Sequence, residues 1–388
     1  MIVLSNPWLQ TSVYPEQLNF TLTSSQFPDA KIESNKFGLH LQGSAQTNLI
    51  LDSVDECFKI DTSQGPINGL CLRYLTQESG VELSVELELP PEAPFLLQRM
   101  KLRNNSARTI HPERFLFSDV QPGGLSFSAR ESTRTAFYSN GWQSWSPSVT
   151  LQYGQRHNRS KLFGLSHPML YDSGTPITWQ KSKFSSDMFA ALLDHDAPAG
   201  LICGFLSQKQ QFGSLTSTLH PEPDLQVWAN CDQIELSPGQ TLESDWLAWQ
   251  FFDTLEPKPF DAYFTAVAAE NQARERISTP VGWCSWYYYF QNITPQILRK
   301  NLQSVQEYEA ELPLDFFQID DGFQQDVGSW LKFHPNFPQG VKGLSREIKA
   351  AGFTPGLWLA PFIVEHNSTL TREHPHWLLR NKRGKPVD

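Results

Sequence analysis

Between Val281 and Leu359 three short apolar runs alternate with two helical periods, and this alternation limits the fold more than any other feature of the chain. Val281 to Trp286, Leu314 to Ile319 and Phe353 to Leu359 read as strands. Between the first two, Thr294 reads as an N-cap with Pro295 at N1, and Ile297, Leu298, Leu302 and Val305 follow at helical spacing. Leu344, Ile348 and Ala351 mark a second helix, closed by Gly352 at C′. Apolar strands separated by helices belong to a parallel α/β barrel or an open parallel sheet. A closed (β/α)8 barrel takes about 250 residues. Residues 280–388 supply about 110, enough for three to four of its units.

The chain upstream has a different character. Val81, Leu83, Val85, Leu87 and Leu89 alternate with polar residues before Pro90, as in a half-buried strand. Gly200 to Leu206 and Trp246 to Phe252 are similar runs, and turn formers such as Pro122-Gly123-Gly124 separate them. The fold class expected is multidomain, β followed by α/β. An N-terminal antiparallel β-sandwich over residues 1–255 leads through a helical linker, 256–279, into the first part of a (β/α)8 TIM barrel over 280–388. The linker helix is expected over Asp261 to Arg276.

Aromatic side chains, 12 Trp and 26 Phe among 388 residues, supply a large core and argue against disorder. A net charge of −10 with no basic run argues against nucleic acid or an anionic membrane as partner and fits a neutral substrate. Five scattered cysteines without CxxC spacing suggest neither a disulfide framework nor a zinc site. The N-terminus has no signal-peptide pattern and no run approaches a membrane span, so a soluble, cytoplasmic protein is expected.

In a (β/α)8 barrel the active site lies at the C-terminal ends of the strands. The first strand here ends in Trp286-Tyr287, the second in Asp320-Asp321-Gly322 and the third in Trp358. Two carboxylates directly after a buried strand are costly unless donors meet them, and sugar hydroxyls are suitable donors. The Asp-Asp-Gly segment alone reads more readily as a capped turn than as a sugar site. Trp286 and Trp358 suit either a core or a wall against the apolar face of a pyranose. His334, His366, His374 and His376 lack zinc-ligand spacing, so no metal and no cofactor is expected.

Several motifs occur in a telling order: Gly282-Trp-Cys-Ser-Trp-Tyr287, Phe317-Gln-Ile-Asp-Asp321, Gly328-Ser-Trp330 with Phe337-Pro338, Gly356-Leu-Trp-Leu-Ala-Pro361 and His374-Pro-His-Trp377. Together they resemble the melibiase (α-galactosidase) family of retaining glycoside hydrolases, and most of all its compact bacterial and archaeal members. Asn140-Gly-Trp-Gln-Ser-Trp145 resembles the N-terminal domain of the same family. The resemblance implies that Asp320 and Asp321 bind galactose hydroxyls, including the axial 4-hydroxyl. It makes Trp358 and Trp286 walls of the pocket, and Trp145 an aromatic that the N-terminal domain adds to it. Ser329 departs from the family, which usually has Asp there, and puts the support of that loop in question.

A retaining glycosidase needs a nucleophile and an acid/base about 5–5.5 Å apart. In similar enzymes the nucleophile is an Asp in a Lys-x-Asp context at the end of strand four, and the acid/base is an Asp two strands later. No Lys-x-Asp occurs in the barrel segment 280–388, and no catalytic residue is assigned within the chain. Adjacent strand residues point to opposite faces, so Asp320 and Asp321 are poor substitutes. The expectation is an N-terminal portion of an α-galactosidase, inactive alone, that takes a galactose-containing oligosaccharide. A homo-oligomer is compatible with the resemblance. An N-acetylgalactosaminidase or transferring relative, a non-catalytic galactoside-binding protein and an inert remnant are the competing expectations. A partial barrel should also leave an open sheet edge and uncovered apolar faces, making 280–388 marginal in stability.

Overall fold

Strand Val81–Glu88 illustrates how the first 250 residues fold. Val81, Leu83, Val85 and Leu87 are buried on one face, while Glu82 and Ser84 on the other are half-buried. Repeated along the chain, that period of two builds two antiparallel sheets in this computed structural model. It describes residues 1–42, 48–62, 65–76, 80–129, 133–143, 146–157, 174–176, 178, 180–219, 222–274, 278–308, 310–381 and 383–387, the side chains of 57–68 excepted. The chain forms two compact units, Met1–Arg274 and Glu275–Asp388.

In the first unit one sheet runs Ile2–Ser5, Leu9–Tyr14, Asn19–Ser24, Lys31–Leu41, Pro112–Val120, Leu225–Asn230, Gly213–Thr218 and Lys183–Asp187, with Leu125–Ser126 paired to Lys31–Leu41. The other runs from Val149–Gln152 through Thr135–Ser139, Phe189–Asp194, Ala199–Phe205 and Leu247–Asp253. It continues through Leu96–Asn104, Val81–Glu88, Gly65–Thr76 and Leu49–Thr62. The inner faces meet in one core. Phe20 packs edge-on against Trp249 at 6.2 Å, Phe37 against Tyr74 at 6.0 Å and Phe117 against Phe205 at 5.2 Å. Each such pair contributes about 0.5–1.5 kcal/mol beyond the area it buries.

The second sheet is covered on its outer face too. Phe95, Leu97, Ile202, Trp246 and Phe252 pack there with Tyr263 and Ala266 of helix Asp261–Glu270. With both faces covered, all of Ala199–Phe205 is buried and its apolar run is nearly unbroken. The helix expected to reach residue 276 stops at Glu270. Asn271 turns its amide back to the carbonyls of Val267 (2.7 Å) and Leu206 (2.8 Å), and Gln272 follows in a left-handed conformation.

The second unit carries a parallel sheet of three strands in the order Gly282–Cys284, Phe316–Ile319, Thr354–Leu357, whose outer members are edges among the described residues. Thr294 caps helix Pro295–Glu307, its hydroxyl oxygen accepting from the Ile297 N–H at 3.2 Å. Helix Lys342–Ala350 ends at Gly352, whose φ of 94° is the left-handed C′ conformation. Leu298, Leu302, Leu344 and Ile348 from these helices share a core with Phe317 and Ile319. The strands are shorter than the apolar runs suggest. Ser285 already leads into the short helix Trp286–Tyr289, which ends the first strand at Cys284.

Candidate functional site

Strand parity divides the parallel sheet into two chemically different faces. Phe317 and Ile319 point into the helix-covered core, with Trp283 stacked on Phe317 at 4.2 Å. Gln318 has the opposite parity, and its register partners are Cys284 and Gly356. At the C-terminal end of this second face the chain places Asp320, which shares the parity of Gln318.

Asp320 and Asp321 are each only 6% exposed, and donors meet both carboxylates. Gln318 Nε2 donates to Asp320 Oδ2 at 2.7 Å and the Cys284 thiol donates to the same oxygen at 3.2 Å. The main-chain N–H of Asp321 donates to Asp320 Oδ1 at 2.9 Å, and that of Asp320 donates to Ser285 Oγ at 2.9 Å. Asp321 turns elsewhere. Its Oδ2 accepts from Gln291 Nε2 at 2.8 Å and its Oδ1 from Gln324 Nε2. Burial above all, together with the bond to Asp320 and its charge, raises the Cys284 thiol pKa, against a main-chain hydrogen bond from Trp286. The group therefore stays a protonated donor toward the carboxylate.

Trp286 opens the short helix after the first strand, half-buried, with Phe290 edge-on at 5.4 Å. Trp358 follows the third strand, its main-chain N–H donating to the Ile319 carbonyl at 2.9 Å. Its ring meets Trp330 edge-on at 5.8 Å, so the Gly328-Ser329-Trp330 motif lies against the end of that strand. Ser329, the departure from the family pattern, is held through its main chain: its N–H donates to Asp326 O at 3.1 Å and its carbonyl accepts from Lys332 at 2.9 Å. Trp145 lies outside the described residues.

A cleft of about 660 Å³ opens beside Asp321, walled also by Gln291, Gln324, His334, Asn336 and Glu365. Asp320, Trp286 and Trp358 are not among its walls. The two carboxylates thus serve different neighbourhoods, as the parity argument implies. Among the described residues, no group of three or more His, Cys, Asp or Glu side chains converges as metal ligands would. Sequence reasoning did not single out Cys284, Gln318, Gln291 or Gln324. A signal existed for Gln318, which sits two residues before Asp320 on the same strand face. None existed for Gln291 and Gln324, which sit in irregular segments.

The model of the melibiase family matches residues 270–387. Among curated proteins, α-galactosidase AgaA of Geobacillus stearothermophilus is 25% identical over 189 residues, 45% of this chain and 24% of the relative. An α-galactosidase of Escherichia coli is 27% identical over 107 residues, 26% of this chain and 14% of the relative. Among solved structures, the α-galactosidase of Lactobacillus brevis shares the fold with a TM-score of 0.64 at 13% identity, over all of this chain and 58% of that one. The α-galactosidase TtGalA of Thermus thermophilus, solved with stachyose, is 25% identical with a TM-score of 0.51, over 82% of this chain and 57% of that one. The chain therefore spans under a quarter of those curated relatives and under three-fifths of those structures. The family model thus matches the second unit, and the curated relatives and solved structures that the chain is similar to are α-galactosidases.

Proposed function

We propose that this chain forms the galactose-holding part of a retaining α-galactosidase, a glycoside hydrolase that removes terminal α-linked galactose from oligosaccharides. The observation that carries the proposal is the buried pair Asp320 and Asp321 at the end of a central parallel strand, with Trp286 and Trp358 at the ends of the two flanking strands. Carboxylates fixed in this way accept charge-assisted hydrogen bonds from hydroxyls, and aromatic rings beside them suit the apolar face of a pyranose. That relatives have been solved with stachyose and raffinose supports a galactose-containing oligosaccharide as substrate.

In this proposal the three parallel strands and their crossover helices are the first units of a (β/α)8 barrel, residues 280–388, preceded by the β-sandwich and the 256–279 connection. Asp320 and Asp321 bind rather than react. The oxygens of each are already met by separate donors, and adjacent residues of opposite parity are poorly placed to oppose one another across a single bond. No catalytic carboxyl is assigned to either of them.

Titration of the purified chain with galactose and with glucose, followed by protein-observed NMR, tests this reading. Galactose should shift the indole signals of the second unit, glucose should not, and Asp320→Asn should abolish the response. Equal responses to the two sugars, or a galactose response unaltered in Asp320→Asn, would reject it.

A further inference from the structure

Asp320 has four acceptor positions when ionised, and three are occupied by donors among the described residues. Two are on Oδ2, taken by Gln318 Nε2 at 2.7 Å and the Cys284 thiol at 3.2 Å; one is on Oδ1, taken by the Asp321 N–H at 2.9 Å. Gln318 also points its amide at the Cys284 sulfur, 3.7 Å away, which closes a three-membered clamp across two adjacent strands. The clamp depends on parallel register, since Cys284 and Gln318 are direct partners.

We propose that Gln318 and Cys284 are positioning residues that saturate Oδ2 of Asp320 and leave one acceptor, on Oδ1, for a single sugar hydroxyl. The inference rests on the galactose-holding role assigned above to Asp320, and it adds which oxygen is available and what aims it. A carboxylate with all four positions open would rotate to suit several hydroxyl geometries. One with a single position open discriminates by the direction of one hydroxyl. Cys284 suits its place because its raised pKa keeps the proton on sulfur, and a thiolate there would repel the carboxylate. Its half-buried position also separates it from the buried Cys71, Cys203 and Cys231, so its chemistry can be followed.

The test is the pH profile of iodoacetamide alkylation at Cys284 in the full chain, read peptide by peptide by mass spectrometry with and without galactose. If the thiol donates to Asp320, Asp320→Asn removes the charge that holds its proton, and the midpoint of the profile should fall by about 1 pH unit. Gln318→Leu should weaken galactose binding by about tenfold, and Cys284→Ser, which keeps a hydroxyl donor, should bind more tightly than Cys284→Ala. A profile in Asp320→Asn that superimposes on that of the parent would overturn the clamp, even if galactose protects Cys284. A shifted profile with no galactose effect in the parent would leave the clamp standing and reject the sugar assignment instead.

Discussion

Gln291 and Gly322 approach so closely that a Cβ at position 322 would collide with the main-chain carbonyl of Gln291, and Gly322 also has a φ of 117° that side chains rarely adopt. The contact lets the Gln291 amide reach Asp321 Oδ2 at 2.8 Å just where the chain leaves the second strand. Gly322→Ala is therefore doubly unfavourable and should cost the second unit about 1–3 kcal/mol. Urea unfolding followed by tryptophan fluorescence should show that loss, accompanied by weaker galactose binding. A midpoint unchanged from the parent would mean the backbone relaxes around the new methyl.

Gln98 crosses the interior of the sandwich. Its Oε1 accepts from Trp249 Nε1 at 3.2 Å and its Nε2 donates to the carbonyl of Phe117, on the opposite sheet, at 3.4 Å. Gln98→Leu fills similar space but orphans a buried indole N–H and a buried carbonyl. It should destabilise the first unit by about 2 kcal/mol, with the midpoint of its thermal transition falling accordingly. Adding Trp249→Phe should recover part of the loss, because the orphaned indole donor is then absent.

How much of this was legible in the sequence follows from how local each feature is. The caps at Thr294 and Gly352 depend on one turn of chain and read directly, as do the apolar runs of the parallel strands. The sandwich alternation is also local, as in Val81–Glu88, but the order of its strands is not. Pro112–Val120 lies between Lys31–Leu41 and Leu225–Asn230, pairings separated by tens to hundreds of residues that no local pattern encodes. The site divides in the same way. Asp320 and Asp321 stand out because two acids follow an apolar strand, and parity already implies that their side chains part. Cys284 becomes meaningful only once register sets it beside Gln318, and Gln291 only once a turn folds it over Gly322. Apolar burial ended strands earlier than composition alone suggests, because residues such as Ser285 enter a turn while their neighbours are still aromatic.

Glu88 makes the stability of the sandwich depend on pH. It is fully buried, neither carboxyl oxygen has a hydrogen-bond partner among the described residues, and burial raises its pKa from 4.5 to about 7. Glu86 adds to the rise and Arg99 opposes it. Because the folded pKa lies above the unfolded one, the fold binds this proton more tightly. Its contribution is fully present below about pH 4.5 and is lost as pH rises through about 7. The slope over that window approaches about 1.4 kcal/mol per pH unit. Glu88→Gln keeps the shape without the charge. Thermal melts from pH 5 to 8 should show a flatter profile and higher stability at pH 8 for this variant; parallel profiles would mean that Glu88 ionises freely in the fold.

The second unit should be the first to yield to a protease. Its core is small, centred on Phe317, Ile319, Leu298 and Ile348, and both edges of its three-stranded sheet are open among the described residues. Large apolar side chains also stand in solvent on it: Phe362 is 97% exposed, Leu331 92% and Tyr287 85%. By contrast the first unit buries two sheets against one another and a helix against one of them. Local opening is least costly where buried apolar contact is sparse, and cleavage follows the open fraction. Thermolysin at a low ratio should therefore cut within 280–388 first and leave a resistant fragment of roughly the Met1–Arg274 unit, identified by intact-mass analysis. Survival of both units at the same rate would show that the three-stranded sheet is as stable as the sandwich.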